Sequence, residues 1–105
     1  VERKIGLAAM SELAINASEW RSAEWAKEKG LYSNTYEDAE TMDQAIDQLI
    51  QQLLQSNPEA MMELKRIFWQ GTENWDQLLM ERASISGRLV LSDFTRNAIS
   101  AFKAK

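Results

Sequence analysis

Helix breakers are scarce in this chain: one proline and four glycines punctuate 105 residues. Between them the apolar side chains recur at spacings of three and four, the period that places them along one side of an α-helix. Strands would alternate with period two and need turn residues at short intervals. The pattern therefore predicts an all-α chain of about five to six helices.

The first helix is expected over residues 2–16, where Ile5, Ala8, Ala9, Glu12, Leu13 and Ile15 fall on one side before the polar corner "NASEW". Ser22 is placed to cap a short helix over 22–29, and Gly30 to close it in a left-handed conformation. "LYSNTYED" carries no helical stripe and reads as an extended connector or a short strand. A long amphipathic helix begins near Glu40, with Met42, Ala45, Ile46, Leu49, Ile50, Leu53 and Leu54 opposite Asp43, Asp47, Gln48, Gln51 and Gln52. In "SNPEAMMELKRIFWQG", Ser56 or Asn57 can cap, Pro58 occupies the first helical position, Glu59 complements the helix dipole, and Gly71 ends the run. Thr72 is expected to cap the next helix, which carries Trp75, Leu78, Leu79, Arg82, Ile85, Ser86 and Leu89 on one side. Ser92 with Asp93 opens the last, whose stripe is Phe94, Ala98, Ala101 and Phe102.

Length bounds the chain to one domain spanning 1–105. With 12 basic and 16 acidic residues and a net charge of −4, it has no basic block and no electrostatic footprint for nucleic acid. No apolar run reaches the roughly 20 residues of a membrane-spanning helix. A soluble, cytoplasmic protein without nucleic-acid or membrane partners is expected.

The familiar catalytic chemistries lack their parts. Without Cys or His there is no thiolate ligand, no imidazole ligand and no imidazole base. No serine sits in a G-x-S-x-G elbow, and the glycines are too dispersed to cradle phosphates. Carboxylates one turn apart, Glu24 with Glu28 and Asp43 with Asp47, lie opposite the apolar stripes, where water equalises their environments; a solvated polar face is the simpler reading. The acidic stretch "YEDAET" favours the positive end of a helix dipole. Trp20 and Trp25 flank one corner, Trp69 and Trp75 another, and packing between helices is the ordinary use of such pairs. No catalytic residue, metal ligand or cofactor is assigned. What the stripes do predict is an interface, because there is more apolar face than so few helices can hide in a monomer.

Three stretches resemble proteins of the enoyl-CoA hydratase/isomerase family, the crotonase superfamily. "SAEWAKEKGLYSNTY" is similar to a segment that commonly reads SAEEALEWGLVNRVV, "NPEAMMELKRIFWQG" to the family's S/NPEA-x-x-x-x-K helix, and "SDFTRNAISAFKAK" to its closing T-D-D-x-K-E-G-x-x-A-F-x-E-K segment. The three occur in order and span the chain. The resemblance implies the C-terminal helical, oligomerising domain of such an enzyme, starting just after the segment that carries the second active-site glutamate. The N-terminal ββα part, with its oxyanion-binding amides and both glutamates, would then lie outside these residues.

The implied partners are that N-terminal part, further copies of the chain in a trimer or hexamer, and an acyl-CoA thioester as substrate. By the same resemblance Phe102 matches the phenylalanine of the closing A-F, and Lys105 stands where many hydratases place a lysine against a neighbour's CoA phosphate. Asn97 and Ala98 replace the family's usual E-G, and Phe94 replaces an acid. "ISGRLVLSDFTRNAISAF" is most similar to members acting on methylglutaconyl-CoA-type substrates. A free-standing helical protein-interaction module is the alternative from the residues alone.

Overall fold

A computed structural model describes all residues, 1–105, and contains six helices and no strand. They are α1 (Glu2–Ile15), α2 (Ala23–Glu28), α3 (Ala39–Leu54), α4 (Pro58–Phe68), α5 (Trp75–Val90) and α6 (Asp93–Lys103). The all-α expectation holds. The chain forms two compact units, Val1–Ser56 with α1 to α3 and Asn57–Lys105 with α4 to α6.

In the first unit α1 is broken where a continuous helix was expected. Gly6 takes φ 83° and ψ 166°, a region that only glycine occupies without strain, so the helix axis changes direction there. Nothing in the apolar spacing marks this break, because Ile5 and Ala8 keep their three-residue interval across it. Ser22 caps α2 as expected: its Oγ accepts from the Trp25 N–H at 3.0 Å. Gly30 has φ 83°, and the Leu31 and Tyr32 N–H groups both donate to the Ala26 carbonyl at 2.8 and 3.1 Å, folding the chain back over the end of α2. That fold-back leaves Ala26 only 6% exposed.

Residues 31–38 make no strand. They have no neighbouring strand to pair with, and an extended segment without a partner satisfies its amides from water. Their last residue, Asp38, caps α3 through Oδ1, which accepts from the Thr41 N–H at 2.7 Å. The cap thus precedes Glu40, where the helix was expected to begin. Along its backbone α3 touches neither α1 nor α2.

In the second unit Asn57 is the cap of α4, its Oδ1 accepting from the Glu59 and Ala60 N–H groups at 3.0 and 3.4 Å. Pro58 follows at the first helical position. Thr72 does not cap α5. Its hydroxyl instead donates back to the Trp69 carbonyl at 2.6 Å, and Asn74 occupies the cap position without a side-chain bond. The hydroxyl thus closes α4, while the Thr72 carbonyl accepts from the Trp75 N–H at 3.1 Å. Trp69 and Trp75 meet edge to face across the same turn, with centroids 5.5 Å apart and planes at 89°. Such a pair contributes about 0.5–1.5 kcal/mol beyond its buried area. Ser92 caps α6 by accepting from the Thr95 N–H at 3.3 Å, and α6 packs against α5.

Gly87 lies inside α5, and a Cβ there would meet nothing within 4 Å. Gly87→Ala is expected to stabilise the chain by about 0.5–1 kcal/mol in urea unfolding, by reducing the backbone entropy lost on folding. Gly6→Ala has equal room but the wrong dihedral angles, and should destabilise by about 1–3 kcal/mol. Equal effects at the two positions would contradict the kinked geometry of α1.

Candidate functional site

Apolar side chains have little to cover them in either unit. Ala9, 4% exposed, and Ala26 are the only buried residues of the chain, and no large side chain is buried. On α3, Met42, Ile46, Leu49, Ile50, Leu53 and Leu54 are all exposed; on α4, Met61, Met62, Leu64, Ile67 and Phe68; on α5, Leu79, Met80, Ile85 and Leu89; on α6, Phe94, Ile99 and Phe102. On α3 these are residues of the stripe that spacing identifies, and on α5 and α6 Leu79, Ile85, Leu89, Phe94 and Phe102 are, so α3, α4, α5 and α6 all leave large apolar side chains in solvent.

The total accessible surface is 9561 Å² for 12.0 kDa. Two separate globules of half that mass would together expose about 7,200 Å². The chain therefore leaves about 2,300 Å² more in contact with water than two independent globular units would. That excess is a property of the units themselves, whatever their mutual placement. It is nearly three times the roughly 800 Å² that each partner contributes to a standard protein interface.

Two cavities lie in the first unit. One, of about 330 Å³, is lined by Leu13, Trp20, Arg21, Trp25, Leu31 and Tyr32 among others. Arg21 organises its floor: the guanidinium donates to Glu19 at 3.0 Å, stands 3.9 Å from Glu12, and lies 5.7 Å from the centre of the Trp25 ring. Asn16 also donates to Glu19. The Arg21 Nε is buried without a partner, so one of its donors is desolvated with no return. Trp20, beside it, is 96% exposed.

The second cavity, of about 560 Å³, is bounded by Tyr32, Tyr36, Asp38 and Met42 at the start of α3. The Thr41 N–H, with help from the Thr41 side chain and the Glu40 N–H, holds the Asp38 carboxyl below its ordinary value of 3.8.

The residues carried by the family resemblance sit together at the end of α6. Phe102 is 79% exposed, and the Lys105 N–H donates to the Phe102 carbonyl at 3.3 Å. Neither lines either of these two cavities. Of the four tryptophans, Trp69 and Trp75 pair as helix packing, Trp25 stacks under Arg21, and Trp20 packs on little. The carboxylate pairs Glu24 with Glu28 and Asp43 with Asp47 are exposed. No three acidic side chains gather as a metal-binding group. No helix is long and apolar enough to cross a membrane.

Sequence reasoning anticipated neither the Arg21 cluster nor the second cavity. The first brings Glu12, from α1, to Arg21, from the following corner, a pairing that spacing alone does not encode. Comparison with protein-family models, curated proteins and solved structures yields no match.

Asp38 caps α3 more strongly as the carboxylate than as the neutral acid. Because its folded pKa is depressed, the contribution is complete above the ordinary value of 3.8 and is lost as pH falls through the lower folded value. Asp38→Asn keeps a capping acceptor that does not titrate. Its helicity measured by circular dichroism is expected to match the parent chain at neutral pH and to fall less steeply in acid. Superimposable acid titrations would remove the capping role.

Proposed function

We propose that this chain is the C-terminal helical part of an enzyme of the enoyl-CoA hydratase/isomerase type. In that role it packs against a catalytic ββα part, completes the acyl-CoA pocket and builds the contact between subunits of a trimer or hexamer. The supporting observation is the exposure of an apolar face on α3, α4, α5 and α6 alike, the condition of helices shaped to cover other surfaces. The three resembling stretches each coincide with a defined local unit: α2 with its Gly30 turn, the Asn57-capped α4, and the Ser92-capped α6.

Hydration or isomerisation of a 2-enoyl thioester develops negative charge on the thioester oxygen, which paired backbone N–H groups stabilise as it forms. In this reading those donors and the glutamates belong to the catalytic part. The helices contribute apolar walls, and Lys105 contributes a charge for a CoA phosphate, a contact made by a mobile chain end. The acyl group is proposed to be of the methylglutaconyl type. A second reading, a free-standing protein-interaction module, draws support from Trp20, which at 96% exposure has the character of an unfilled interface anchor.

The test uses the complete gene product that contains this chain, assayed with 2-enoyl-CoA thioesters. Turnover is expected, and Lys105→Ala should raise KM about two- to fivefold with kcat nearly unchanged, the difference shrinking as salt is added. A product with no glycine-rich oxyanion segment and no turnover would overturn the enzymatic reading in favour of the interaction module. Unchanged KM and salt dependence would remove the role of Lys105 alone.

A further inference from the structure

We draw no further inference here: the strongest candidate, the cavity of about 330 Å³ lined by Trp20, Arg21, Trp25 and Tyr32 at the corner between α1 and α2, carries nothing, because Glu19 and Glu12 already answer the Arg21 charge and nothing in the structure shows what would fill it.

Discussion

An amphipathic helix gains most of its stability from covering its apolar side, since isolated helices of about a dozen residues are marginal in water. Each helix of this chain except α2 is long enough to carry such a side, yet the only buried residues are two alanines, in α1 and α2. Fixing the backbone costs about 1–2 kcal/mol per residue, and alanine returns little of this when buried. What holds the local structure is therefore chiefly hydrogen bonding at helix ends: Ser22, Asp38, Asn57 and Ser92 each satisfy amides that would otherwise be orphaned. The helices are individually well bounded and collectively undercovered, and the functional reading follows from that combination.

The helix ends were legible because capping is local chemistry. A serine or asparagine hydrogen-bonds amides two or three residues ahead whatever the rest of the fold does, so Ser22 and Ser92 were identified from sequence and Asn57 was one of two candidates with Ser56. Thr72 was misassigned because a hydroxyl can equally turn back to a carbonyl three residues behind, as it does to Trp69, and sequence does not distinguish the two directions. The kink at Gly6 was hidden for a related reason: periodicity reports which face a residue occupies and is blind to a change of axis. Residues 31–38, read as an extended connector or a short strand, are the connector: strand pairing is not local, and no second extended segment exists to receive them.

The site was less legible than the fold. Phe102 and Lys105 adjoin at the end of α6, outside both cavities of the first unit. A binding contribution from them depends on a surface supplied by another molecule. The one organised polar cluster, Arg21 between Glu12 and Glu19 over Trp25, binds together α1 and the corner that follows it. Glu19 accepts from Arg21 and Glu12 stands within ion-pair distance, so its charge is already answered, and stabilisation of the corner is the use that the geometry supports.

Apolar area and charge order answer different questions about an uncovered surface. Area favours burial without choosing the partner, since any apolar face will cover any other. Rim charges add little affinity in water but discriminate, because like charges brought together are penalised while unlike ones are tolerated or attracted. A chain that carried its acids and bases evenly would leave the choice among its faces open. Here every charge on the helical stretch of α3 is negative, and α6 offers its bases at the same seven-residue interval. The stripes therefore favour being covered, while Glu40 and Asp47 on α3 and Arg96 and Lys103 on α6 stand on the sides away from those stripes, so the sorted charges mark the polar faces and leave the choice of covering partner open.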